Sequence, residues 1–188
     1  MVWLILGVAL WGTVHLLPMA GGALRTRMIE RIGEGPYKGL FSLALLGAIG
    51  LMVAGWRSTP PAAVYGTGVG MRLVTNVMVF AALVLFFASG VPTNLKRIVR
   101  HPQLSGVLVW AVGHLVSNGE GRSLLLFGGL GLWAVVSMTL INRRDGPWHP
   151  PEAVPLAADL KPFVAAAIAF VLLLFLHPWI AGVPAFPR

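Results

Sequence analysis

Five histidines are the side chains with the most chemistry to offer in this sequence: His15, His101, His114, His149 and His177. Four of them, at 15, 101, 114 and 177, fall within or at the edge of long apolar runs. An ionisable group there is costly, so its presence points to function. His149 sits in a Pro-rich loop and reads as a solvated residue. A neutral imidazole inside an apolar segment is an available ligand for haem iron, and equally a group that can hydrogen-bond to a neighbouring helix. His114, in "WAVGHLVSNG", and His15, in "WGTVHLLP", carry both readings. His177, in "FLHPWIAG", closes the last apolar run beside Trp179 at a half-wet interface position.

Spacing limits which histidines act together. His101 and His114 are thirteen residues apart, which on one helix sets them about 140° apart around the axis and roughly 20 Å apart along it, so they cannot share a metal. His101, between Arg100 and Pro102, reads as a helix-start or headgroup contact, because proline suits the first helical turn. Carboxylates are scarce: Glu30, Glu34, Glu120, Asp145, Glu152 and Asp159, all at the ends of apolar runs or between them. That argues against a carboxylate proton relay. No H-E-x-x-H, G-x-S-x-G or phosphate-cradling glycine loop occurs. The chain has no cysteine, which excludes disulfides, thiolate metal sites, iron–sulfur clusters and covalently attached c-type haem.

The elements that must position these residues are membrane helices. The chain is 188 residues long, 57% hydrophobic and only 11% charged, where charged residues in a soluble domain approach about 25%. Apolar runs at 2–20, 37–56, 73–91, 104–116, 123–140 and 163–177 predict an all-α polytopic transmembrane bundle of about six spans in one domain. The first run has no basic region before it and no A-x-A cleavage site after it, so it reads as a span rather than a signal peptide. The unequal runs show no internal repeat. The net charge of +8 comes from short loops with no soluble face to gather it, so no nucleic-acid partner is expected.

Loop charges set the orientation. Arg25, Arg27, Arg31, Lys38, Lys96, Arg97, Arg100, Arg143, Arg144 and Lys161 lie at one end, against Arg57, Arg72, Arg122 and Arg188 at the other. Both termini are therefore expected on the non-cytoplasmic side. Leu24, Met28, Ile29 and Ile32 alternate with Arg25, Arg27, Glu30 and Arg31 as a short amphipathic helix at the interface. Gly47, Gly50, Gly128, Gly129 and Gly131 are expected as helix-packing faces, and Thr75, Asn76 and Ser105 as interhelical hydrogen-bonding groups. On this scheme His15 lies about 20 Å from the non-cytoplasmic end and His114 about 5 Å. Depth alone thus pairs His114 with His177, unless the short fourth span sinks into the bundle with "SNGEG", including Asn118, lining a polar pocket.

Three stretches carry a resemblance: "VHLLPMAGGALRTRMIERIGEGPYKGLFSLALLG" at 14–47, "RHPQLSGVLVWAVGHLVSNGE" at 100–120 and "LHPWIAGV" at 176–183. In these the chain resembles the NnrU family of bacterial integral membrane proteins, whose plant relatives are the zeta-carotene isomerases. The resemblance implies a non-covalent haem b, with His15 and His114 in the places of the isomerases' ligands; depth keeps His177 as the substitute ligand. It implies a bacterial inner-membrane location and a link to denitrification, with a small nitrogen oxide or a lipidic molecule as ligand and membrane lipid and respiratory or denitrification enzymes as partners. The isomerases carry His-Ser-Gly where this chain has His15-Leu16-Leu17-Pro18, a departure that bears on polyene isomerisation. "RHPQLSG" is also similar to the R-H-P-x-x-x-G of membrane methyltransferases, but Asn142-Arg143-Arg144-Asp145 stands where those carry paired glutamates. A cofactor-free assembly factor is the remaining alternative.

Overall fold

The computed structural model describes residues 1–20, 22–68 and 70–186; Arg188, one of the four basic residues counted at the less basic end, lies outside them. Among the described residues the chain is all-helical. Its helices are α1 (Val2–Ala20), α2 (Gly22–Ile32), α3 (Glu34–Ser58), α4 (Met71–Ser89), α5 (Pro102–Ser117), α6 (Gly121–Asp145) and α7 (Leu160–Ala181). Five of these runs are long and apolar enough to cross a membrane, α7 counted with the 3₁₀ turn Leu156–Asp159 before it. The remaining expected span, α5, has 16 residues, about 24 Å of helix against a hydrocarbon core of about 30 Å.

The spanning helices form a row in the order α3, α1, α6, α5, α4, α7, with α2 against α1 and α3. Neighbours approach through small residues, as expected where lipid on the outside removes any hydrophobic drive for helices to associate. Which glycines do this differs from the expectation. Gly55 of α3 lies so close to Leu4 of α1 that a Cβ would collide with the Leu4 backbone, and Gly7 meets Ala48 and Met52. Gly106 and Gly113 of α5 lie against α4 at Ala82 and Met78, while Gly129 and Gly131 of α6 meet Val8 and Ala111. Gly47, Gly50 and Gly128 have open space where a side chain would be; their faces point away from protein. Thr75 does bond between helices as expected, donating its hydroxyl to the Gly113 carbonyl at 2.7 Å.

Two prolines are accommodated where the sequence suggests a stop. Pro18 is expected to break α1, yet the helix runs on to Ala20. Pro178 lies inside α7, which continues past His177 to Ala181 before Gly182 closes it at φ 78°. The lost amide donor falls within the last turn or so of each helix, where the break in bonding costs least. In α6, the segment Leu124–Gly128 is a π turn, a local widening that rotates the following side chains and frequently marks functional sites.

Polar contacts organise the two ends. At the more basic end, Asp159 accepts from the Thr93 hydroxyl and from the backbone and side-chain nitrogens of Asn94, tying the α4–α5 connection to the start of α7. At the opposite end the loop after α3 is strapped to the α5–α6 turn. Val64 and Tyr65 donate backbone N–H groups to the Gly119 carbonyl, at 2.7 and 3.2 Å, and Gly121 donates to Ala62 at 2.9 Å.

Candidate functional site

His114 lies in the last turn of α5, one turn after Trp110. Its Nδ1–H donates to the Trp110 carbonyl at 2.9 Å. A carbonyl only accepts, so this bond fixes the proton on Nδ1 and leaves the Nε2 lone pair free. The imidazole stacks on Phe127 with centroids 4.5 Å apart and planes 24° apart. Trp110 meets Phe127 edge-on at 4.9 Å. Phe127 reaches the ring because it belongs to the π turn of α6. Behind it Trp56 of α3 closes the wall at 6.1 Å, with the Arg122 guanidinium 4.3 Å from the Trp56 ring. Arg122, in sequence only a charge between runs, bonds Glu120 at 2.7 Å and the carbonyls of Trp56 and Thr59. It thereby links α3 to the start of α6.

His15 repeats the arrangement on α1. Its Nδ1–H donates to the carbonyl of Trp11, one turn earlier, at 3.0 Å, again leaving Nε2 free. Its ring lies 4.5 Å from Trp11, 4.8 Å from Trp133 and 5.7 Å from Phe41. The buried indole N–H groups of Trp11 and Trp133 have no acceptor among the described residues. A buried donor without an acceptor is costly and calls for an explanation, such as a bound molecule or water. His177 shows the same bonding choice, donating Nδ1–H to the Val183 carbonyl at 2.6 Å.

The structure brings some of the expected residues together and keeps others apart. His177 turns its Nδ1–H to the Val183 carbonyl beyond the end of α7, and His114 turns its own to Trp110 on α5. His15 and His114 occupy separate aromatic nests, both walled by α6: His114 against Phe127 and His15 against Trp133. Those residues are six apart on one helix, about 9 Å in depth. Asn118 follows the last residue of α5. It donates to the His114 carbonyl at 2.8 Å as a cap on α5, and Gly119 beside it is covered by Tyr65. His101 precedes Pro102 at the helix start as expected, with its Nε2 2.8 Å from Asn142 Oδ1. Arg100 donates to the Gly146 carbonyl at 2.9 Å, so both residues serve the α5–α6 contact.

Sequence reading missed the aromatic partners, although one signal was there to find. Trp11 precedes His15 and Trp110 precedes His114 by four residues, the spacing that stacks two side chains on one helix face. The contributions of Trp133, Phe127 and Trp56 come from other helices and leave no such local trace.

Among curated proteins the chain is similar to NADH-ubiquinone oxidoreductase chain 1 from Petunia hybrida, at 23% identity over 184 residues, covering 79% of this chain and 55% of the relative. The chain thus spans about half the length of that relative. No solved structure matches. The family model described as NnrU protein matches residues 3–185, nearly the whole chain. With its row of apolar helices and histidines set among them, this multi-pass membrane protein belongs to the NnrU family.

Proposed function

We propose that this protein binds haem b within its helix row and uses the iron to engage a small nitrogen oxide, in the bacterial inner membrane with both termini on the periplasmic side. The observation that carries the reading is the shared state of three span histidines. His15, His114 and His177 each commit Nδ1–H to a backbone carbonyl and leave Nε2 without a hydrogen-bond partner among the described residues. That is how ligand histidines are oriented and made more basic in metal sites. The donor set therefore fits a porphyrin iron, which these imidazoles would hold. Bound there, the group supplies a redox-active metal able to take a diatomic or nitrite-like ligand.

The chain's own residues have definable work in this reading. His114 is the anchoring ligand, held by the Trp110 carbonyl and the Phe127 face. Family resemblance names His15 as the residue that would hold the haem with it, and depth along the sequence names His177. The aromatic walls exclude water, and the free indole N–H groups of Trp11 and Trp133 offer hydrogen bonds to an oxygen atom near His15. Similarity to a chain of NADH-ubiquinone oxidoreductase is in keeping with a redox setting beside partner enzymes of the same membrane.

The absorption spectrum of detergent-purified protein, as isolated and after incubation with haemin, is the test. A Soret band lost in His114→Ala is expected. Retention of that band in His177→Ala with its loss in His15→Ala assigns the second ligand to His15, and the opposite pattern assigns it to His177. A colourless, iron-free protein that also fails to take up haemin overturns the reading.

A further inference from the structure

Beyond the haem reading and independent of it, we propose that the junction of α1, α2 and the end of α6 is a binding site for the phosphate of an acidic lipid headgroup, held between Arg25 and Arg144. A cavity of about 560 Å³ opens there, lined by Pro18, Met19, Gly22, Arg25, Thr26 and Arg144. Its size suits a small ligand or headgroup. Two guanidinium groups from different helices face one space, and planar guanidinium forks match phosphate oxygens. Pro18 and Met19 supply an apolar floor for the glycerol and first acyl carbons.

One of the two cations is unpaired among the described residues and the other is held only by an exposed neighbour. Among the described residues Arg25 makes no ion pair; its guanidinium stands 5.8 Å from the Tyr37 ring centroid. Arg144 pairs with its neighbour Asp145 at 2.7 Å, but both side chains are about half exposed, and such pairs contribute little in water. Glu34, on α3 beside α2, is bonded to Lys38.

The setting also fits a lipid. Leu24, Met28 and Ile32 of α2 remain 45%, 38% and 40% exposed, an apolar stripe that no protein surface covers. A helix with this stripe and with Arg25, Arg27 and Arg31 lies in the membrane interface, which places Arg25 at headgroup level. The headgroup site is thus offset from Arg100 and His101, whose side chains hold the α5–α6 contact.

The test is titration of the detergent-solubilised full chain with fluorescent short-chain phosphatidylglycerol, with phosphatidylcholine and inorganic phosphate as separate probes. Saturable binding of phosphatidylglycerol over phosphatidylcholine is expected. Each arginine near an anionic lipid contributes about fivefold in affinity, so Arg25→Gln/Arg144→Gln weakens binding at least tenfold. Arg27→Gln/Arg31→Gln removes the same charge from residues that do not line the cavity and is expected to weaken binding clearly less than the Arg25/Arg144 pair. Equal loss in both pairs, or no preference over phosphatidylcholine, overturns the site. Inorganic phosphate that displaces phosphatidylglycerol at equal concentration overturns the lipid as its source.

Discussion

At the scale of single residues, shape decides more than polarity. Gly55 is where α1 and α3 touch, and the Leu4 backbone occupies the space its side chain would take. Gly55→Ala is therefore expected to lower stability by about 1–3 kcal/mol, the usual range for overpacking, read as a fall in the thermal midpoint in detergent. Gly47→Ala on the same helix meets nothing within 4 Å and is expected to leave the midpoint unchanged or raise it, since alanine favours a helix interior over glycine. A comparable fall in both would show that the α1–α3 contact is not where the structure has it. The two glycines also show what sequence cannot disclose. Both sit in one apolar helix, and only the angle at which α1 crosses it separates the contact from the lipid face. Likewise Trp11 and Trp110 were legible as local partners of histidines, whereas Phe127 became the face on His114 only through a π turn that no sequence pattern announces. Phe127→Leu removes that face while keeping bulk. It is expected to change the hydrogen–deuterium exchange or nitrogen chemical shift of the His114 ring without altering that of His15, whose walls are Trp11, Phe41 and Trp133.

At the scale of elements, hydropathy located every span within a few residues, because a segment in lipid must be both apolar and helical. The ends were less legible. Pro18 and Pro178 lie inside helices rather than ending them, each removing one backbone donor within the last turn or so. The loop after α3 carried no chemical signal, yet it closes the opposite end from the basic loops. Its strap on Gly119 and Gly121 gives backbone partners to a turn that would otherwise meet lipid headgroups or water. Tyr65 adds a side-chain anchor, donating its hydroxyl to the carbonyls of Leu115 and Asn118. Tyr65→Phe deletes only that hydroxyl. One hydrogen bond contributes about 1 kcal/mol, so amide exchange across the loop between Thr59 and Gly68 is expected to rise roughly fivefold, with α1 unaffected. An unchanged loop would mean that the backbone bonds to Gly119 suffice to hold the strap.

At the scale of the whole molecule, the helices make an open row rather than a closed ring. α3 and α7 stand at its two ends, and Leu172, Phe175 and Trp179 of α7 are 55%, 71% and 73% exposed. Lipid is the natural solvent for that much apolar surface. The direction of the row turns on α5, whose 16 residues fall short of the hydrocarbon thickness by about 6 Å. The strap covers the C-terminal end of α5, where Tyr65 bonds Leu115 and Asn118, and α5 is expected to cross the membrane with its help. Absence of native cysteine makes this directly measurable with single introduced thiols. Gly66 lies in the strap loop and has open space around it, and Ala153 lies exposed in the loop between α6 and α7. Three helices, α4, α5 and α6, separate them. An impermeant maleimide added to intact cells is expected to label Gly66→Cys, and to label Ala153→Cys only after permeabilisation, given that the basic loops stay cytoplasmic. Labelling of Ala153→Cys alone would invert the orientation while keeping three crossings. Labelling of both in intact cells would leave an even number of crossings between them, and α5, with His114 at its end, would then be a re-entrant helix rather than a span.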